Sequence, residues 1–162
     1  MGSDIKINYA RGYSGVYISP FRRKPGAAPD TVNTTLIAEA VEAAKSSDIA
    51  MLFIGGNRDY GTEGSDRKDL SIPFHEQELV DSLTAANSNT IVVFIGGAPY
   101  DVNKIKQNNH TIVWAWYNGS ESSNALADVL LGKVNPSGKL PFTFPVITQK
   151  KYFSFNPPRN LT

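Results

Sequence analysis

The chain has 162 residues, of which 41% are hydrophobic and 19% are charged. This is the length of about one domain of 150 residues, with enough apolar residues for a single core. Lys and Arg total 16 against 15 Asp and Glu, a net charge of +1, which excludes an electrostatic footprint for nucleic acid or an anionic membrane. The absence of cysteine excludes disulfides, thiol catalysis and Cys-based zinc sites.

Targeting signals and cofactor motifs are not expected either. No apolar run approaches the ~18 residues that a membrane-spanning helix needs. The first residues, Met1-Gly2-Ser3-Asp4, lack the basic start and apolar stretch of a signal peptide. His75 and His110 are the two histidines, which makes a multi-histidine metal site unexpected, and the sequence implies neither a metal nor a cofactor.

In chain order, the first half of the sequence predicts a strand, a helix and a second strand. The early strand covers Ile5–Tyr9. Ile49–Ile54 is a continuous apolar run of strand length that ends at the pair Gly55-Gly56, and it predicts a strand buried on both faces. Between them lies a helix, predicted from residues at helical spacing: Leu36, Ile37, Ala40, Val41 and Ala44.

The second half continues the alternation. Strands are predicted over Thr90–Ile95, which ends at Gly96-Gly97, and over Thr111–Trp116. Short helices are predicted between and after them, over Asp101–Gln107 and from Ser120 as N-cap to Gly132 as the C-terminal stop. A helix before them begins near Pro73, and the residues predicted to face inward from these helices are Leu79, Val80, Leu83, Leu126, Val129 and Leu130.

Alternating strands and helices predict an α/β fold: a three-layer α/β/α sandwich with a mostly parallel, flavodoxin-like sheet. Ligands of such sheets bind outside the carboxyl ends of the strands, which here are followed by loops 55–72, 96–101 and 117–120. The first loop is longer than the usual 2–6 residues, and long loops in compact domains tend to be functional. The sequence therefore places the candidate site there.

Within the first loop, Glu63 is the candidate general acid because Gly61 and Gly64 bracket it and allow its side chain to project. The alternative is a solvated loop whose charges pair with one another, and Asp66, Arg67 and Asp69 suit that role. The glycine pairs accompany no phosphate-binding motif and indicate tight turns with close packing. Trp116, predicted at the end of its strand, is either buried or a platform for stacking a sugar.

Several motifs carry a resemblance to a known family. The first is Glu63-Gly-Ser-Asp-Arg67, followed by Leu70-Ser-Ile-Pro73 and Gln77. Further motifs are Ala115-Trp-Tyr-Asn-Gly119, Asn124-Ala-Leu-Ala-Asp-Val-Leu-Leu-Gly132, Asn135-Pro-Ser-Gly-Lys-Leu-Pro141 and Thr143-Phe-Pro145. In these motifs the chain resembles the second domain of glycoside hydrolase family 3, the β-glucosidase and β-xylosidase family, from about Asp4 to Pro145.

The resemblance implies a retaining β-glycosidase acting on a β-linked oligosaccharide or glycoside, with Glu63 as acid/base. It implies that the nucleophilic Asp lies on a barrel domain, in cis or as a separate piece, so that the chain alone is inactive. No motif here supplies that Asp, and 162 residues cannot hold a barrel. Sugar contacts are expected from Arg58, Asp59, Tyr60 and Trp116, with Asp66 and Arg67 holding the loop.

The resemblance also implies a domain division and a location. Residues 1–145 would form the sandwich, incomplete at its N-terminal edge, and residues 146–162 a tail or linker toward a following domain. Family members are typically secreted or periplasmic. Two other functions stay open: a non-catalytic domain that docks on a polypeptide or holds carbohydrate, and a nucleotide- or flavin-binding module without its phosphate motif.

Overall fold

The computed structural model describes residues 5–14, 31–56, 67, 69–108 and 110–144. In this part of the chain, three strands form one sheet: β1 (Ala50–Gly55), β2 (Thr90–Ile95) and β3 (Thr111–Trp114). Their order is β1-β2-β3, and both neighbouring pairs are parallel. The predicted α/β fold with a parallel sheet is confirmed.

Within these same ranges, four helices accompany the sheet: α1 (Thr34–Lys45), α2 (Glu76–Ala86), α3 (Asn103–Gln107) and α4 (Ser122–Leu130). None of the helices in the described ranges has the length and apolar character needed to cross a membrane.

One face of the sheet carries the core. The register pairs Leu52 with Val92 and Ile54 with Phe94, so these side chains point to the same face. Helices α1, α2 and α3 pack their apolar residues against that face in a single buried cluster, to which they contribute Ala40, Ala44, Leu79, Val80, Leu83 and Ile105. The helix residues predicted to face inward from α2 are therefore confirmed.

The opposite face is apolar but partly open. Met51, Phe53 and Ile95 are exposed by 39%, 42% and 39%, whereas Val93 in the central strand is fully buried. The prediction of burial on both faces is thus right for residues 92–94 in the middle of β2 but wrong for β1, whose burial alternates along the strand. The physical reason is position, since β1 is an edge strand of the described sheet.

The early strand predicted over residues 5–9 is wrong. These residues form no strand, and Ile5, Ile7 and Tyr9 are exposed by 55%, 66% and 86%. Alternating apolar residues favour a strand only where a neighbouring strand supplies backbone partners, and β1 has none on that side in the described part of the chain.

Three predicted helix starts differ from the observed ones by one to three residues. Helix α3 begins at Asn103, two residues after the predicted Asp101. Helix α2 begins three residues after Pro73, because Phe74 and His75 take left-handed backbone angles before it. Helix α4 has Glu121 rather than Ser120 as its N-cap, without a side-chain cap. Its predicted inward residues are only half-buried, while the predicted stop at Gly132 is confirmed by a φ of +72°.

Candidate active site

The three strand ends meet at one edge of the sheet, and glycine makes their close approach possible. Gly55, the last residue of β1, has a φ of +143°, and a Cβ there would lie 1.9 Å from the carbonyl oxygen of Ile95 in β2. A Cβ on Gly96 would lie 2.9 Å from the Tyr100 ring. The prediction that the glycine pairs mark tight turns with close packing is confirmed.

Two tyrosines from the neighbouring loops reach the peptide of Gly56. The Gly56 N–H donates to the Tyr100 hydroxyl at 2.8 Å. The Tyr117 hydroxyl donates to the Gly56 carbonyl over a longer 3.4 Å. The first residue after the β1 end is therefore joined to the loops that follow β2 and β3.

The far end of the long loop attaches to the same place. Arg67 donates from Nη1 to the carbonyl oxygen of Pro99 at 3.0 Å, and its guanidinium carbon lies 5.1 Å from the centre of the Tyr100 ring. Three residues on, the Leu70 carbonyl accepts from the Asp101 N–H at 2.6 Å. These contacts support the predicted role of Arg67 in holding the loop, which stays a prediction.

Five of the predicted site residues lie outside the described residues: Arg58, Asp59, Tyr60, Glu63 and Asp66. Their predicted roles stay predictions.

Trp116 does not lie on β3, which ends two residues earlier, so the prediction that it ends this strand is wrong. Its φ is +57°, a left-handed angle that bulky residues rarely adopt. The half-buried ring meets Trp114 and Phe142 edge to face, at centroid distances of 6.2 and 5.6 Å. One side of the ring is thus engaged in an aromatic cluster, and its contact with a sugar stays a prediction.

Glu76 is a residue at this edge that the sequence analysis missed. It opens α2, is fully buried, and its Oε2 accepts the Gly55 N–H at 3.0 Å. Burial raises the pKa of its carboxyl group to about 8, although hydrogen bonds from Gly55 and Tyr13 act in the opposite direction. Burial, together with the charge of Glu76, raises the pKa of Tyr13 to about 12.

A sequence signal for Glu76 existed. It precedes Leu79 by three residues and Val80 by four, which places all three on one helix face. A carboxyl group on a core-facing stripe indicates a buried or functional group. Its Oε1 is buried and has no hydrogen-bond partner among the residues that the structure describes.

A metal centre does not emerge from the described residues. Among those that the structure places, no three or more His, Asp or Glu side chains come together to hold an ion.

Comparison with known proteins identifies the family. The model of the glycosyl hydrolase family 3 C-terminal domain matches residues 3–160, past the boundary predicted at residue 145; that domain division stays a prediction. Thermostable beta-glucosidase B of Acetivibrio thermocellus is 42% identical over 148 residues, which is 90% of this chain and 18% of the relative. A beta-xylosidase of Formosa agariphila is 36% identical over 145 residues, again 90% and 18%.

Solved structures agree on the fold. A GH3 beta-glucosidase of Bifidobacterium adolescentis superposes with a TM-score of 0.70 at 35% identity, over 86% of this chain and 19% of that one. The beta-glucosidase of Kluyveromyces marxianus gives a TM-score of 0.65 at 40% identity, over 71% and 14%. The chain spans less than a fifth of the length of these relatives. It belongs to glycosyl hydrolase family 3, and the part that it represents is the α/β sandwich of the C-terminal domain.

Proposed function

We propose that this chain supplies the general acid/base and one wall of the sugar pocket to a retaining β-glycosidase. The substrate is a β-linked oligosaccharide or glycoside of the β-glucosidase or β-xylosidase type, in keeping with the names of the relatives. The observation that carries the proposal is the anchoring of Gly56 and Arg67, which flank residues 57–66, at the carboxyl edge where parallel sheets bind ligands.

Glu63 is the proposed acid/base. In a retaining mechanism it protonates the leaving oxygen while a nucleophilic carboxylate roughly 5–5.5 Å away attacks the anomeric carbon. It then removes a proton from the water that cleaves the glycosyl-enzyme. The nucleophile is an Asp of a barrel domain, in cis or as a separate piece, so the chain by itself is inactive.

The other predicted residues have supporting roles in this proposal. Arg58, Asp59 and Tyr60 contact the sugar, and the ring of Trp116 stacks against it. Asp66 and Arg67 hold the loop.

The test is Glu63→Gln in the enzyme with all its domains. The kcat/KM for an alkyl glycoside, a poor leaving group, falls by about 10²–10⁴-fold, because the leaving alkoxide then lacks a proton donor. The kcat/KM for a dinitrophenyl glycoside falls far less, because that leaving group needs no proton. Azide restores turnover of the dinitrophenyl substrate, since azide attacks without a general base.

Glu39→Gln is the matched control, because Glu39 is an exposed carboxylate on α1. It leaves both substrates unaffected. Equal losses for the two substrates in Glu63→Gln would remove Glu63 from the acid role.

A second candidate is a non-catalytic domain that docks on another polypeptide or holds carbohydrate. The half-open apolar face formed by Met51, Phe53 and Ile95 favours docking. The Glu63→Gln enzyme separates the two candidates, because a non-catalytic domain supplies no acid and its variant shows no dependence on the leaving group.

A further inference from the structure

We propose that Tyr100 is a positioning residue: its hydroxyl and its ring fix the two ends of the segment 57–66, and with them the placement of Glu63. The inference rests on the proposed role of Glu63. Tyr100 lies in the loop that follows β2, and it acts on the loop after β1 that carries Glu63.

The hydroxyl fixes the first end. Tyr100 is only 3% exposed, and its hydroxyl accepts the Gly56 N–H at 2.8 Å. Without this acceptor the half-buried Gly56 N–H loses its protein partner and exchanges with solvent more readily. The missing side chain of Gly96 makes room for the approach, since a Cβ there would lie 2.9 Å from the hydroxyl oxygen.

The ring fixes the second end. The Arg67 guanidinium carbon lies 5.1 Å from the ring centroid, within the range of a cation–π contact. The adjacent Pro99 carbonyl accepts from the same guanidinium at 3.0 Å. The residues at both ends of the segment, Gly56 and Arg67, therefore contact the consecutive residues Pro99 and Tyr100.

The anchor itself is rigid because the ring is stacked within the core. Its centroid lies 5.7 Å from the Phe94 ring and 5.7 Å from the Trp114 ring. Phe94 is fully buried in the central strand. A displacement of a catalytic group by about 1 Å can cost about 10²-fold in rate, so a loop that carries an acid needs such a support.

The first test measures the anchor directly. Tyr100→Phe keeps the ring and removes only the hydroxyl. Hydrogen exchange followed by NMR is expected to speed up about tenfold or more at the Gly56 amide, with the amide of Val93 in β2 unchanged. Tyr9→Phe is the matched control, because Tyr9 is 86% exposed, and it leaves both amides unchanged. Unchanged exchange at Gly56 in Tyr100→Phe would overturn the proposal.

The second test measures the consequence for catalysis in the enzyme with all its domains. Tyr100→Phe is expected to lower kcat/KM about tenfold for an alkyl glycoside and much less for a dinitrophenyl glycoside, because a displaced acid matters only where protonation is needed. Equal losses for both substrates would mean a merely structural role and would overturn positioning of the acid.

Glu63→Gln measured in parallel separates the two failures. A Glu63→Gln enzyme without leaving-group dependence removes the proposed acid, and the positioning role falls with it. A Glu63→Gln enzyme with that dependence, beside a Tyr100→Phe enzyme without it, overturns the role of Tyr100 alone.

Discussion

Glu76 shows how one buried carboxyl group can make the stability of the fold depend on pH. Its pKa is raised to about 8 by burial, against a usual value of 4.5. Between these two pH values the folded protein retains the proton while the unfolded chain loses it. The free energy of unfolding therefore falls as pH rises through this window, by at most about 1.4 kcal/mol per pH unit.

We expect Glu76→Gln to remove this dependence. The amide stays neutral, has nearly the same shape, and its oxygen accepts the Gly55 N–H. The variant is expected to melt about 3 °C or more above the unmodified chain at pH 9 and close to it at pH 5, as measured by circular dichroism.

The control for this prediction is Glu39→Gln, an exposed carboxylate that leaves the pH profile of the melting temperature unchanged. A Glu76→Gln profile parallel to that of the unmodified chain would show that Glu76 carries no proton near neutral pH.

At the scale of elements, the junction of β1 and β2 depends on a missing side chain. Gly55 combines a φ of +143° with an approach of 1.9 Å between its ideal Cβ position and the Ile95 carbonyl oxygen. Gly132 at the end of α4 has a φ of +72°, with nothing within 4 Å of its Cβ position. A side chain at either position strains the backbone, but only at Gly55 does it also meet another strand. Substitutions at the two positions therefore separate the cost of backbone strain from the cost of steric contact.

We expect Gly55→Ala to lower the free energy of unfolding by about 3 kcal/mol or more, because the added methyl group strains the backbone and also forces the ends of β1 and β2 apart. Gly132→Ala, the matched control, is expected to cost about 1 kcal/mol from backbone strain alone. Urea unfolding followed by fluorescence of the two tryptophans measures both values. Equal costs would show that the strand ends have room for a side chain.

The elements predicted most clearly from the sequence are those that local residue patterns determine. The apolar runs that became β2 and β3 are bounded by turn residues, and the apolar spacing of α1 and α2 follows the helical period. The strand predicted over residues 5–9 failed because pairing is not a local property. The loop of Glu63 could be identified from its length and its polar residues. The contact between Tyr100 and Gly56 could not, because it depends on the order of the strands, which decides which loops lie side by side.

At the scale of the whole molecule, the two faces of the sheet differ. Helices α1, α2 and α3 cover one face with a buried apolar cluster, while Met51, Phe53 and Ile95 remain about two-fifths exposed on the other. The chain spans 18% of the length of the two relatives described above. Family membership alone therefore does not show which surface covers the exposed face. An exposed apolar sheet face favours association with another surface.

We expect the isolated chain to self-associate through this face, so that its weight-average mass in light scattering rises with concentration. Replacing Met51 and Phe53 together by Glu is expected to restore a monomer, because burying two carboxylates against a partner is costly. Val134→Glu is the control, because Val134 is 53% exposed after α4 and outside the sheet, and it leaves the association unchanged. A monomer at every concentration for the unmodified chain would contradict docking between copies. The exposed face would then no longer support the second candidate function, a non-catalytic docking domain.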